Sequence, residues 1–336
     1  MRISVVILVF NLEDYLGQAI DSVLAQTRSA DEIIVVDDSS GDGSAEVAKS
    51  YGSKIRYIPM PENNGALLAA LEGVKEAIAD VICMLDGDDF WAANKLEIVE
   101  GSFSADPELM LLSHDHVRVD ESGREVAVRD DTHRNIAAIL RRASTAEARS
   151  NLLRETILDQ RGYWLGSAYS FRKALFDIPK FENQVEAFGS DRLKQTYLDL
   201  TIAPFLVLTN PGKHVGYTPA TKLFYRVHDR GSLAGNVSPQ RALESARRGK
   251  AINELIELIL RENGATPTHL RRRGLIIREY DYLIALYSGH LANAVRLYGR
   301  LALTQWNLRQ LAKETKRLAA VAALGPERFL ALKQKL

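Results

Sequence analysis

Cysteine occurs once in this chain, as Cys83, so no internal disulfide can form and a thiolate zinc site lacks its partners. The residue sits in Val81-Ile82-Cys83-Met84-Leu85, where a small buried apolar side chain is the expected role. Long apolar runs are missing as well. The run from Ile3 to Phe10 stops short of Glu13 and Asp14 without a small-residue cleavage site, which reads as a buried strand rather than a signal sequence. No stretch approaches the ~20 apolar residues that span a bilayer. An excess of one charge is absent too: 43 basic residues face 43 acidic ones, so the whole chain offers no reason to expect nucleic acid as a partner. No G-x-G-x-x-G follows a strand, which excludes a dinucleotide dehydrogenase. Val9-Phe10-Asn11-Leu12-Glu13 is not the glycine- and arginine-rich phosphate loop of a sugar-1-phosphate nucleotidyltransferase.

What is present is the balance of a soluble globular protein, with 46% apolar and 26% charged residues over 336 positions, enough for one large or two ordinary domains. The neutral total hides a split. Residues 241–336 hold 18 basic and 8 acidic side chains, which leaves 25 and 35 in residues 1–240.

The first third alternates β-branched runs with helical patterns, the signature of a parallel sheet covered by helices. Strands are expected over 3–10, 32–36, 55–59 and 81–85, with helices over 13–27, 44–51 and 65–79. A hairpin is expected where 111–119 and 125–128 flank the turn-forming Asp120-Glu121-Ser122-Gly123. Residues 135–160 read as helical, 163–171 as an apolar segment, 191–200 as a helix opened by an acid, and 221–227 as a strand. Gly231 to Pro239 is the best linker, and everything beyond it reads as helical. Within that tail, residues 287–303 have the pattern of one helical hairpin, and a single copy is not a repeat.

Two acidic clusters fall at strand ends, where ligands bind in alternating α/β folds. Asp86, Asp88 and Asp89 crowd three carboxylates into four residues. Such hard oxygen donors suit Mg²⁺ or Mn²⁺; a solvated turn is the alternative. The second cluster, Asp37-Asp38-Ser39-Ser40-Gly41-Asp42-Gly43-Ser44, has Lys49 where an EF-hand needs a bidentate Glu. Its acids suit hydrogen bonds from a ribose or base, alongside N-cap and turn chemistry before the helix at Ser44.

Four motifs in order, Ser4-Val5-Val6-Ile7 with Phe10-Asn11 and Glu13, Val36-Asp37-Asp38-Ser39-Ser40-Gly41-Asp42-Gly43-Ser44, Asn63-Asn64-Gly65, and Leu85-Asp86-Gly87-Asp88-Asp89, resemble those of a family 2 glycosyltransferase of the GT-A fold. Gly166-Ser167, Gly189-Ser190-Asp191 and Tyr225-Arg226-Val227-His228 agree with that family's acceptor half. The resemblance implies an α/β architecture with a mainly parallel central sheet flanked by helices and followed by a helical C-terminal region. It implies a catalytic domain over 1–235, with a nucleotide-sugar half at 1–108 and an acceptor half at 109–235, and a basic helical region over 236–336. The implied activity is inverting transfer of a sugar from a UDP, dTDP or GDP donor to the hydroxyl of a glycan or lipid-linked acceptor in bacterial surface glycan synthesis, assisted by Mn²⁺ or Mg²⁺. Carried over by position, Phe10, Glu13, Asp37, Asp38 and Asn64 line the nucleoside side. Asp86 and Gly87 lie by the ribose and diphosphate, Asp88 binds the metal, and Asp191 is the general base.

The chain also departs from the family pattern. Leu8 and Phe10 stand where Pro and Tyr are usual, and Ala70-Leu71 replaces an Arg-Asn pair. The resemblance therefore leaves Arg226 and His228 two roles: restoring positive charge at the diphosphate, or hydrogen-bonding loops. Trp164 either stacks on an acceptor sugar or packs in the core. His114 and His116 read as surface or acceptor-side groups. A catalytically silent, glycosyltransferase-like binding protein is the rival reading, against which stands the joint presence of Asp38, Asp86, Asp88 and Asp191. The expected location is cytoplasmic. For the basic tail, contact with the inner face of an anionic membrane competes with packing on the catalytic domain or a second subunit.

Overall fold

The computed structural model describes residues 1–126, 136, 140–159, 165–194, 196, 199–228, 239–304 and 306–333. Strands β1 (Ile3–Val9), β2 (Glu32–Asp37), β3 (Arg56–Pro59) and β4 (Val81–Asp86) alternate with helices α1 (Leu16–Leu24), α2 (Ser44–Ser50) and α3 (Ala66–Glu76). Every residue of β1 is buried, as expected of a parallel strand covered on both faces. Helix α1 turns Leu16, Ala19, Ile20 and Val23 inward at the spacing of one helical face. The remaining strands are β5 (Phe90–Trp91), β6 (Leu109–Val119), β7 (Ser170–Arg172) and β8 (His214–Arg226). Among the described residues they form one mixed sheet in the order β3-β2-β1-β4-β7-β6-β8-β5. The β3-β2-β1-β4 part is parallel throughout. On its other side, β7 pairs antiparallel with β4 and β6.

The expected hairpin forms as far as it is described: Gly123 N–H donates to Asp120 O at 2.9 Å, Asp120 N–H to Arg124 O at 2.8 Å and Val126 N–H to Arg118 O at 2.9 Å, with Val119 bridging Glu125, while residues 127 and 128 lie outside the described set. Nothing in the sequence signals that strand β6 also takes β8 as a parallel partner, from Leu109 opposite His214 to Val119 opposite Arg226. The helix expected over 191–200 is divided. After α4 (Lys95–Ala105), α5 (Ala146–Asp159) and α6 (Ile178–Phe188) come the single turn α7 (Ser190–Leu193) and then α8 (Asp199–Thr209). Thr196 closes α7 by donating both its N–H and its hydroxyl to Leu193 O, a side-chain bond that competes with helix continuation.

The described residues divide into two compact units, Met1–Val227 with Glu262–Gly264, and His228–Arg261 with Ala265–Leu336. The second is helical: α9 (Pro239–Glu262, its last residue grouped with the first unit), α10 (Pro267–Tyr287), α11 (Leu291–Thr304) and α12 (Leu308–Lys333). Its core gathers Tyr282, Leu286, Ala294, Leu301, Trp306 and Val321, with the rings of Tyr282, Tyr298 and Trp306 5.4–6.4 Å apart. Among the described residues no helix is long and apolar enough to cross a membrane.

Candidate active site

Strand register assembles the site. Leu8 is paired with Val36 on one side and Asp86 on the other, and Val9 is paired with Asp37. The carboxyl ends of β1, β2 and β4 therefore stop level with one another. Parallel neighbours lie about 4.8 Å apart, so both acidic clusters flank the loop that follows β1.

That loop and the one after β2 are tied together by polar bonds. Asn11 N–H donates to Ser40 Oγ at 3.0 Å, Leu12 N–H to Ser44 Oγ at 2.9 Å, and Gly41 N–H to Asn11 Oδ1 at 2.8 Å. Asn11 and Ser39 hold φ of 54° and 64°, a left-handed conformation that non-glycine residues adopt only where surrounding contacts enforce it. Glu13 accepts from Gly43 N–H at 2.7 Å. Buried Asp37 accepts from Ser40 N–H at 2.8 Å and from the Tyr57 hydroxyl at 2.7 Å. Asp38, also buried, accepts one N–H on each oxygen, from Asn64 and Gly65, both at 2.8 Å. Burial outweighs those two bonds and moves the Asp38 carboxyl upward from its ordinary value. Glu13, Asp37 and Asp38 thus shape the loops, and Asn64 is held through its backbone. Phe10 differs: its side chain stands 45% exposed at the end of β1, an apolar face open to a flat ligand.

Across β1 lies the three-carboxylate cluster. Asp86, Asp88 and Asp89 each offer an oxygen, and the three atoms lie within 4.8 Å of one another. Ser167, from the short turn Gly166–Ala168, holds the first of them. Its Oγ accepts from Asp86 N–H and donates to Asp86 Oδ2, each at 3.0 Å. Asp89 is 2% exposed; its Oδ1 accepts from Arg226 N–H at 2.9 Å. Asp89 Oδ2 has no hydrogen-bond partner among the described residues. Burial first, and then the charges of Asp88 and Asp86, push the Asp89 carboxyl well above the usual carboxylate range. A buried oxygen without a partner, beside two further carboxylates, is a donor set that a hard divalent cation would satisfy. The sequence put forward all three carboxylates, of which the resemblance singled out Asp88 for the metal, and the geometry brings the three together.

Arg226 takes the loop-bonding role of the two open to it. Its side chain is buried, with Nε donating to Asp88 O at 2.8 Å and Nη1 to Asp120 O at 3.2 Å and Glu121 O at 2.6 Å. Nη2 donates to Gln18 Oε1. The guanidinium lies 4.8 Å and 5.4 Å from the ring centres of Tyr15 and Phe90. It clamps the acidic loop of β4 to the Asp120 turn. His228 is buried and grouped with the second unit. Trp164 lies outside the described residues.

Lys95 carries no signal in the sequence that separates it from a surface lysine. It opens α4 with no exposed surface. Its Nζ sits 4.0 Å from the Trp91 ring centre and 3.4 Å from Ser167 O, which also accepts from Trp91 Nε1 at 2.8 Å. Burial pulls the Lys95 ammonium down to about 7. His114 and His116 are buried, not on the surface. The His114 imidazole is held well below its ordinary value by burial and then by Lys95 and His116. Asp191 lies on α7. A Cβ added at Gly65, whose φ is 88°, would meet the Lys194 Cα at 2.8 Å, so the chain just after α7 runs against the loop that Asp38 anchors.

Comparison with known proteins agrees with this geometry. The family model described as Glycosyl transferase family 2 matches residues 4–174. An uncharacterized glycosyltransferase of Rickettsia typhi is 42% identical over 95 residues, which cover 28% of this chain and 30% of that protein. The chain thus spans under a third of that curated relative's length. Among solved structures, S. aureus TarS 1–349 in complex with UDP-GlcNAc superposes with a TM-score of 0.53 at 15% identity, covering 89% of each chain. The mannosyltransferase PcManGT from Pyrobaculum calidifontis, in complex with GDP-Man and Mn²⁺, gives 0.55 at 16% identity, covering 99% of this chain and 84% of that one. Both share the GT-A-like fold, a mixed sheet flanked by helices. The family match takes in both acidic clusters and the Ser167 turn over about half of the sequence, and the chain therefore belongs to glycosyl transferase family 2.

Proposed function

We propose that the protein transfers a sugar, with inversion at the anomeric carbon, from a nucleoside diphosphate donor to the hydroxyl of a glycan or lipid-linked acceptor. The observation that carries this reading is the cluster of Asp86, Asp88 and Asp89 at the strand ends, with its partnerless buried oxygen. Those three residues would hold Mn²⁺ or Mg²⁺. When bound, the cation supplies positive charge where the departing diphosphate accumulates negative charge. Phe10 would stack on the base, and the loops tied by Glu13, Asp37, Asp38 and Asn64 would shape the nucleoside side. Asp191 would take the acceptor's proton as its oxygen attacks from the face opposite the leaving group. The complexes of TarS with UDP-GlcNAc and of PcManGT with GDP-Man and Mn²⁺ support a UDP or GDP donor, with dTDP a further candidate. Bacterial surface glycan synthesis, on the cytoplasmic side of the membrane, is the setting this reading fits.

The test is a thermal-shift panel of UDP, GDP, dTDP and CMP with and without Mn²⁺, run on the wild type and on Asp191→Asn. One nucleotide diphosphate is expected to stabilise both proteins, and only with the metal. Turnover, followed as release of the nucleoside diphosphate from the matching nucleotide sugar, is expected to fall roughly 10²-fold or more in the variant, as loss of a general base does. Unchanged turnover removes Asp191 from the chemistry. A nucleotide shift without donor turnover in the wild type favours the silent binding protein.

A further inference from the structure

Helices α11 and α12 have an inner face that their own core uses fully. Ala294, Leu301, Trp306 and Val321 are buried in it. Leu303 and Leu308, on either side of the turn between the two helices, lie out of phase with that core and are 89% and 87% exposed. Val295, two turns before Leu303 on α11, is 54% exposed. Apolar side chains this open are common singly. Two such leucines flanking one turn, with a third open apolar side chain on the helix before it, make a patch.

The exposed charges of α11 and of α12 as far as Lys316 have one sign; the carboxylate at the turn, Glu279 of α10, is partly buried and accepts from Trp306 Nε1 at 2.7 Å. Arg296 and Arg300 on α11, and Arg309, Lys313 and Lys316 on α12, are all exposed. Their spacings of three and four residues keep each set on a continuous helix surface. Between positions 291 and 316 there is one acidic residue, Glu314. It is buried and bound to Arg317 Nη1 at 3.0 Å. The described surface of this segment therefore presents five cations, three exposed large apolar side chains and no exposed carboxylate.

We infer that the α11–α12 corner docks on an anionic lipid surface, with Leu303 and Leu308 entering the headgroup boundary and the five cations lying over acidic headgroups. Such a surface supplies both requirements, an apolar layer for the leucines and fixed negative charge above it. A nucleic acid answers the cations and leaves the leucines in water. A second copy related by a two-fold axis would set the five cations against themselves. The inference is independent of the catalytic reading, since none of these residues belongs to the acidic clusters.

The full chain is tested by flotation with vesicles of phosphatidylcholine alone and of equal parts phosphatidylcholine and phosphatidylglycerol. Binding is expected with the anionic vesicles, and to weaken roughly tenfold or more between about 0.1 M and 0.5 M NaCl as screening shortens the reach of the cations. The double variant Leu303→Ser/Leu308→Ser and the triple variant Arg300→Gln/Arg309→Gln/Lys313→Gln should each lower binding by roughly tenfold. Far-ultraviolet circular dichroism and the nucleotide-dependent thermal shift should stay unchanged in both, because every substituted side chain is exposed. Equal binding by the variants, or none by the wild type, overturns the proposal. So does light scattering that finds a dimer in the wild type and a monomer in the leucine variant, which would assign the patch to a second copy.

Discussion

At the scale of single residues, the site rests on side chains whose partners are remote in sequence. Arg226 joins Gln18, Asp88, Asp120 and Glu121, and Lys95 meets Ser167 across 72 positions. No local pattern marks Lys95, and the motif around Arg226 marks that residue without its partners, whereas Asp86, Asp88 and Asp89 stood out because their chemistry lies in four consecutive positions. Lys95 has the larger consequence for stability. Its folded value of about 7 lies below the ordinary 10.5, so the unfolded chain holds the proton more tightly. The resulting penalty is complete below pH about 7, shrinks as pH rises, and vanishes above the unfolded value. Lys95→Met removes the titrating group while keeping most of the volume over Trp91. The stability of the variant relative to wild type should therefore be most favourable near pH 6 and decline toward about pH 9. Urea denaturation of both proteins at the two pH values checks this, and a difference that does not change with pH would show that Lys95 keeps its proton in the folded protein throughout.

At the scale of elements, the parallel half of the sheet was legible because β1, β2 and β4 are buried on both faces and read as uninterrupted apolar runs. Strands β1, β2 and β4 fell where expected, with their acids at the carboxyl ends. The hairpin was legible as far as it is described, because Asp120-Glu121-Ser122-Gly123 forms its turn locally and Val126 N–H returns to Arg118 O. The parallel strand along β6 was not, since it comes from a segment some 100 residues later. The predicted helix over 191–200 divides because Thr196 bonds back to Leu193. One close approach between elements gives a direct test. Gly87 N–H donates to Leu8 O at 2.7 Å, and a Cβ added at Gly87 would lie 2.8 Å from that same backbone oxygen. Gly87→Ala must displace the end of β4 from β1 and carry Asp86 and Asp88 with it. Mn²⁺ affinity by calorimetry is expected to fall at least roughly tenfold, with a loss of fold stability of about 1–3 kcal/mol by denaturation. Wild-type Mn²⁺ affinity in this variant would show that the register of β4 against β1 does not position the carboxylates.

At the scale of the whole molecule, two separate hydrophobic cores predict two unfolding steps. One core lies around β1, β2 and β4, the other around Tyr282, Leu301 and Trp306. Trp306 fills the second and donates through Nε1 to Glu279 at 2.7 Å. Trp306→Ala should cost that unit about 3–5 kcal/mol, shift one calorimetric transition and leave the nucleotide-dependent thermal shift in place. A single transition that moves as a whole would show one cooperative unit. The charge split takes on a structural meaning at this scale: part of the tail's excess of cations gathers at the α11–α12 corner beside exposed leucines. By itself, the sequence determined the strand-helix alternation, the family motifs, the acidic clusters and the basic helical tail, because each is written in residues close together along the chain. Only the tertiary structure decided that Asp89 keeps a buried oxygen without a partner, that Arg226 clamps loops, that Lys95 is sealed under Trp91 and that Leu303 and Leu308 face outward. Those outcomes depend on burial, and burial is set by segments distant in sequence packing against one another.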